Sequence, residues 1–323
     1  MKTRFISKIG FIGLGAMGKY MAEHLARKLP DDSQVIVYDV SSLPMDDLVA
    51  RYPERVVSGT SPRDVAGKAS IIFTMVPEGS HVRSIYLAPE TGITAASLHD
   101  QILIDCSTID IAMSLAVKEH LEIHHASTNT SFYDAPVSGG TLGAKAGTIA
   151  FFIGAAEDDP NLPRITELLN LMGKGIISCG KPTAGLTAKL CNNYLPDLIA
   201  IASSEALNTG IRAGLDPRVL SRVIAAGTAQ NAICDSYNPC PGVIETAPSS
   251  HGYEGGFKVQ LMKKDFGLAV ELAKTVGADL ILGEKGLETY QAAAEDERCR
   301  DRDSRVIYRF IGGDEAWKER FGS

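Results

Sequence analysis

The spacing of apolar positions along this 323-residue chain changes near residue 180. Before that point, short apolar runs alternate with helical patterns. Ile9, Phe11 and Ile12 predict a buried strand. GLGAMG follows, then Met17, Met21, Leu25 and Leu29 at close to helical spacing. QVIVYD (34–39), ASIIFTMV (69–76) and QILIDCST (101–108) read as a second, third and fourth strand. Residues 81–87 read as helix, as do 110–122, where Asp110 suits an N-cap. SFYDAPV (131–137) and TIAFFIG (148–154) are expected as a fifth and a sixth strand, followed by a helix near 161–172 and a strand near 175–179. Strands alternating with helices predict an α/β fold with a mostly parallel, doubly wound sheet covered on both faces.

After Gly180 no strand pattern recurs. A long helix is predicted from about Ala184 to Ala213, then a helix with Asp216 as N-cap and Pro217 as its first residue. Further helices are expected near 257–276, 281–296 and 303–311. The reading is therefore two domains, 1–180 and 181–323, the second all-α and joined to the first by the long helix. The Pro-, Gly- and Ser-rich stretch 237–256 reads as a long loop, functional or mobile.

Composition narrows the classes. The formal net charge of −7 argues against a nucleic-acid partner. No apolar run is long enough for a membrane span. Six cysteines without a CxxC pair point to free thiols in a reducing compartment. The basic residues Lys2, Arg4 and Lys8 before an apolar run could open a secretion signal, but three glycines interrupt that run and a charged helical pattern follows. The few residues before the first strand are short for a transit peptide, so a cytoplasmic protein is expected.

The glycines carry the first chemistry. Gly13, Gly15 and Gly18 form G-x-G-x-x-G between a strand and a helix, and a second strand ends in Asp39 about twenty residues on. This is a dinucleotide-binding context. The turn Gly13-Leu14-Gly15-Ala16-Met17-Gly18 brings backbone to the pyrophosphate at a helix N-terminus, and Asp39 accepts the ribose hydroxyls. With Val40, Ser41 and Ser42 after it and no Arg, Asp39 favours NAD over NADP.

A nicotinamide enzyme needs a group to carry the proton. Lys189 and Asn193 share one helix face at i, i+4 in KLCNN, beside Asn192. A lysine acting as base needs its ordinary value near 10.4 lowered. Helix chemistry alone leaves a solvated lysine with two surface amides equally open. His120, His124 and His125 fall at a helix end without a spaced acidic cluster, so no metal site is expected. Ser138 does not belong to a nucleophile elbow, because Pro136 stands where G-x-S-x-G needs glycine. Cys106 reads as a small buried residue.

Five blocks, GFIGLGAMG, DCSTID, DAPVSGGTLGAKAGTIAFFIG, KLCNN and LMKKDFGLA, span nearly the whole chain in order. They resemble the β-hydroxyacid dehydrogenase family. YNPCPGV and GYEGGF point within it to the hydroxyisobutyrate branch. The resemblance implies a Rossmann-type NAD-binding domain followed by a helical substrate and oligomerisation domain. It implies oxidation of 3-hydroxyisobutyrate or a related small β-hydroxyacid to its semialdehyde, in a homodimer or homotetramer, and sets the mitochondrion beside the cytoplasm as a compartment. It makes Lys189 the general acid/base and Asn193 its orienting partner. Ser138, Gly139 and Gly140 would bind the substrate carboxylate, and Val76, Pro77, Thr108 and Lys264 the cofactor. Asp265 would help to hold a helix start. Reduction of another semialdehyde or an imine, and a non-catalytic nucleotide-binding module, are the rival readings. The sequence departs from the family at Tyr20 (usually Pro), His24 (often Asn) and His81, where an Asn can contact the cofactor.

Overall fold

Six parallel strands form the main sheet of the computed structural model, which describes residues 8–322. In chain order the first domain runs β1 (Lys8–Ile12), α1 (Gly18–Lys28), β2 (Gln34–Tyr38), α2 (Ser42–Arg51), β3 (Val56–Ser58), α3 (Pro62–Ala66), β4 (Ile71–Thr74), α4 (Gly79–Leu87), β5 (Ile102–Asp105), α5 (Ile111–His124) and β6 (Ser131–Asp134). The sheet order is β3-β2-β1-β4-β5-β6. The chain therefore reverses its winding between β1 and β4, which opens a crevice at the carboxyl ends of those strands.

The strands are apolar on both faces because both faces are covered. Ile9, Phe11, Val37, Ile71 and Phe73 enter one core, and Ile36, Ile72 and Leu103 enter the other. Two expectations are corrected here. The run 131–137 is not one strand. Pro136 has no N–H to continue a ladder, and the chain breaks into β6 and β7 (Val137–Ser138). After α6 (Gly140–Ala146), β8 (Ile149–Ile153) is not a sixth strand of the main sheet. It pairs antiparallel with β7 and, past α7 (Leu162–Met172), parallel with β9 (Gly173–Ser178), giving a second, three-stranded sheet. β3, α2 and α3 carry no clear apolar period in the sequence. Three residues are too few to show a strand period, and α2 buries only Leu48.

A 29-residue helix, α8 (Ala184–Arg212), follows. Compact contacts divide the chain inside it, with one unit ending at Lys189 and the other starting at Leu190. The second unit contains α9 (Pro217–Ala226), α10 (Ala232–Ser236), α11 (Val259–Val276), α12 (Gly283–Glu295), α13 (Ile307–Phe310) and α14 (Lys318–Phe321). Among its described residues there is one isolated bridge, Lys258 to Asp303, and no ladder. The stretch 237–256 is a loop with a single short 3-10 turn, as expected, and it is anchored on the core at a few buried residues. Tyr253, fully buried, donates to the Pro239 carbonyl at 2.9 Å, and the Trp317 indole donates to the Pro241 carbonyl at 2.7 Å. The basic residues Lys2 and Arg4 lie outside the described residues.

Candidate active site

The β1–α1 turn is shaped by two glycines that admit nothing larger. Gly13 has φ +94°, and a Cβ there would strike the Met75 carbonyl and sit 2.9 Å from Val76 Cγ1. The turn after β1 is thus pressed against the segment after β4, across the winding reversal. A Cβ on Gly18 would strike the Gly13 carbonyl, so α1 starts directly on the turn. Gly15 differs, since it and Ala16 are exposed and nothing lies within 4 Å of a Cβ added at Gly15. The N-cap position, Met17, makes no side-chain bond to the helix. The turn therefore presents open backbone and uncapped N–H groups where a pyrophosphate is bound in this type of fold.

Asp39 stands beside it. Its Oδ2 accepts from Leu14 N at 2.6 Å and its Oδ1 from Ser41 N at 2.9 Å. Each oxygen keeps further acceptor capacity for a ribose hydroxyl. Val40, next in sequence, is 96 % exposed. The residues present fit a dinucleotide.

A buried network, unforeseen from sequence, holds the neighbouring loops. Asp105 ends β5. Its Oδ1 accepts from the Ser107 hydroxyl at 2.6 Å and from the Thr74 hydroxyl at 2.7 Å. Thr74 also lies 3.0 Å from the Tyr86 hydroxyl, and Ser107 Oγ accepts from Val76 N at 2.9 Å. Burial pushes the Asp105 carboxyl up to about 6, against the hydroxyl bonds that pull it down. Val76 and Pro77 after β4 and Thr108 after β5 are the expected cofactor-side residues, and this network fixes the segments that bear them. The signal available in sequence was an acid closing an apolar strand run.

The predicted carboxylate site is an open corner at the end of β7. Ser138 is half-buried. Gly139 and Gly140 have φ +127° and +61°, and nothing lies within 4 Å of a Cβ added at Gly140. α6 continues from this corner. His24 of α1 reaches it, with Nε2 3.0 Å from the Ala144 carbonyl and 3.2 Å from the Lys145 carbonyl. Both partners accept, so Nε2 carries the proton. Burial lowers the His24 pKa, which keeps the ring neutral near pH 7. The histidine in place of the family's Asn thus ties the cofactor helix to the helix after Ser138-Gly139-Gly140.

Lys189 is 7 % exposed on α8, between the buried Leu186 and Leu190. The solvated-lysine reading does not fit such burial. Asn193 follows one turn later. Pro196 has no N–H, so the Asn192 carbonyl lacks its helical partner. In the second unit Asn193 Nδ2 donates to Asp265 Oδ2 at 2.9 Å, and Asp265 Oδ1 pairs with Lys264 Nζ at 2.9 Å. Asp265 does not hold the start of α11, which begins at Val259; it links Asn193 to Lys264. His81 is exposed on α4. The ring centroids of His120 and His124 lie 4.5 Å apart with the planes tilted by 45°, and no group of three or more His, Cys, Asp or Glu among the described residues is arranged to hold a metal. Cys106 is buried, and burial raises its thiol pKa well above the ordinary value.

Known proteins match this chain over nearly its whole length. Residues 8–180 match the model of the NAD-binding domain of 6-phosphogluconate dehydrogenase. Residues 183–311 match the NAD-binding domain of NADP-dependent 3-hydroxyisobutyrate dehydrogenase. The human mitochondrial 3-hydroxyisobutyrate dehydrogenase is 36 % identical over 96 % of this chain and 88 % of its own length. An NAD-dependent L-serine dehydrogenase of Pseudomonas aeruginosa is 35 % identical over 95 % and 98 %. The solved structure of the Mycobacterium tuberculosis 3-hydroxyisobutyrate dehydrogenase with L-serine superposes with a TM-score of 0.83 at 30 % identity, covering 95 % of this chain and 99 % of that one.

Proposed function

The chain belongs to the 3-hydroxyisobutyrate dehydrogenase-like β-hydroxyacid dehydrogenases, and from that premise we propose that it oxidises 3-hydroxyisobutyrate to its semialdehyde with NAD. The observation that carries the chemistry is the burial of Lys189, on a helix that starts at the carboxyl edge of the nucleotide-binding sheet. Bound NAD supplies the acceptor for the hydride that leaves the alcohol carbon. Lys189 takes the hydroxyl proton, which leaves the carbonyl of the semialdehyde. Ser138 and the N–H groups of Gly139 and Gly140 hold the carboxylate. These residues offer donors without side-chain cover, as an anion requires. Asn193 orients the hydroxyl and Lys264 approaches the cofactor, the two acting together because Asp265 binds both. Leu14, Ala16 and Met17 contribute backbone to the pyrophosphate, and Asp39 selects NAD. A homodimer or homotetramer is carried over from the family.

L-Serine is the second reading, favoured by the serine dehydrogenase relative and the serine-bearing structure. Both substrates place a carboxylate one carbon from the alcohol carbon. They differ in a methyl group against an ammonium, which would need acceptors. The test measures kcat/KM with 3-hydroxyisobutyrate, its methyl ester, 2-methyl-1,3-propanediol and L-serine, in native protein and Ser138→Ala. Uncharged compounds should lose at least tenfold, since unpaired buried donors cost about 1–3 kcal/mol each. Ser138→Ala should narrow that gap. Equal kcat/KM for acid and ester would refute the carboxylate site, and a higher value for L-serine would replace the substrate.

A further inference from the structure

The start of α8 is held in an unusual way. A helix is normally capped by the residue just before it. Here Asp134, at the end of β6 and 49 positions away, accepts from Thr183 N through Oδ1 at 2.7 Å. Its Oδ2 accepts from Leu186 N at 2.8 Å, 52 positions on. The carboxylate is 3 % exposed. Both oxygens are therefore spent on the first turn of one helix, where a negative charge is also favourable.

Three neighbours are shaped around this contact. A Cβ on Gly154 would strike the carboxylate. A Cβ on Gly185 would strike the Phe152 carbonyl and lie 2.8 Å from Asp134 Oδ2. Thr183 has φ +67°, a left-handed conformation that a β-branched residue adopts only when its surroundings impose it. Backbone is thus pressed directly on backbone, with Leu186 1 % exposed beneath the turn. Lys189 lies three residues beyond Leu186, about 4.5 Å further along the helix axis. Asp134 also stands in register with Asp105, whose network fixes the Val76 segment.

We propose that Asp134 is a positioning residue for Lys189: by bonding the first turn of α8 to the end of β6, it sets where the lysine stands relative to the carboxyl edge of the sheet. The proposal rests on Lys189 being the acid/base. Its logic is geometric. A proton-transfer group displaced by about 1 Å can lose a hundredfold in rate, whereas the fold tolerates such a displacement.

The experiment is a double-mutant cycle on the full chain, read as single-turnover oxidation per NADH-binding site. Asp134→Asn keeps the shape but turns an NH2 toward a backbone N–H. It should lower the rate about 10- to 100-fold while the NADH Kd stays within twofold. Lys189→Met/Asp134→Asn should be no more than threefold slower than Lys189→Met alone, because a residue that acts through the lysine has nothing left to position. If Asp134→Asn does not fold, Asp134→Ser, which leaves room for a water at the two N–H groups, enters the same cycle. Slowing of the Lys189→Met protein by the same factor as the native one would make the role merely structural and overturn the proposal. So would a native-background rate within threefold of wild type. A Lys189→Met protein as fast as wild type would be seen before the cycle is read, and would instead overturn the assignment of the base.

Discussion

Replacing Asp39 with Asn should reverse or abolish a preference for NAD. The substitution keeps the shape of the side chain: the Asn Oδ1 can still accept from Leu14 N, now bonded at 2.6 Å, while the exposed Ser41 N gives up its bond to the side chain and turns to water. The loop is therefore retained. Asp39→Ala would orphan that N–H at about 1–3 kcal/mol and confuse the reading. Two terms change. A hydrogen bond from a ribose hydroxyl to a carboxylate is worth about 1.5–3 kcal/mol, and a neutral amide recovers less than half of it. The like-charge cost of a 2′-phosphate about 4 Å from the carboxylate falls between about 1 and 4 kcal/mol for a half-buried group, and it disappears in the variant. Together they move the NAD-to-NADP ratio by about 3 kcal/mol, roughly a hundredfold. Adding Val40→Arg supplies a cation for the phosphate, and the 96 % exposure of Val40 means that nothing must repack. The assay is fluorescence titration with NADH and NADPH, followed by kcat/KM for NAD and NADP. Tighter binding of NADPH by the native protein, or a ratio that changes less than threefold in Asp39→Asn, would show that Asp39 does not set the cofactor preference.

Gly18→Ala would drive a Cβ into the Gly13 carbonyl; Tm should fall by several degrees and the NADH Kd rise at least tenfold by titration, and unchanged NADH binding would contradict the packing described. Asp105 gives a pH signature. Its carboxyl is raised from 3.8 to about 6, so the folded state holds more protons between those values and native stability falls as pH rises through that window. Asp105→Asn removes this term, so in denaturant melts its stability relative to native should increase between pH 4 and pH 8, approaching about 3 kcal/mol; a difference independent of pH would count against it. His24 runs the other way. Its pKa is lowered from 6.5, so its contribution is complete above 6.5 and is lost as pH falls through the folded value. His24→Asn should lessen the acid-side decline in Tm, and an unchanged decline below pH 6.5 would rule out this histidine as a cause.

What could be read in the sequence was whatever has a local cause. The dinucleotide turn was legible because its three glycines stand at fixed spacing between one strand and the next helix, and the Asp110 and Asp216 caps because their bonds span only two or three residues. The long helix announced itself by its length. The split at Pro136 was half visible, since the proline was there to be seen, but only pairing with β8 shows that β7 leaves the main sheet. The supporting acids were not legible. Asp105 and Asp134 closed apolar runs and looked like strand ends, and their partners lie as far as 52 residues away. The Asn193–Asp265–Lys264 chain spans 72 positions in the same way. The burial of Lys189 could not be read either, because in the sequence it is a helical lysine beside two polar amides.

Initial NADH formation from 3-hydroxyisobutyrate should be measured for the native protein and for Lys189→Met, each normalised to NADH-binding sites and matched for Tm. If Lys189 is the acid/base, kcat falls about 10²–10⁴-fold with NADH affinity little changed, the usual worth of a positioned proton-transfer group. Turnover of the variant within threefold of the native rate would remove Lys189 from that role.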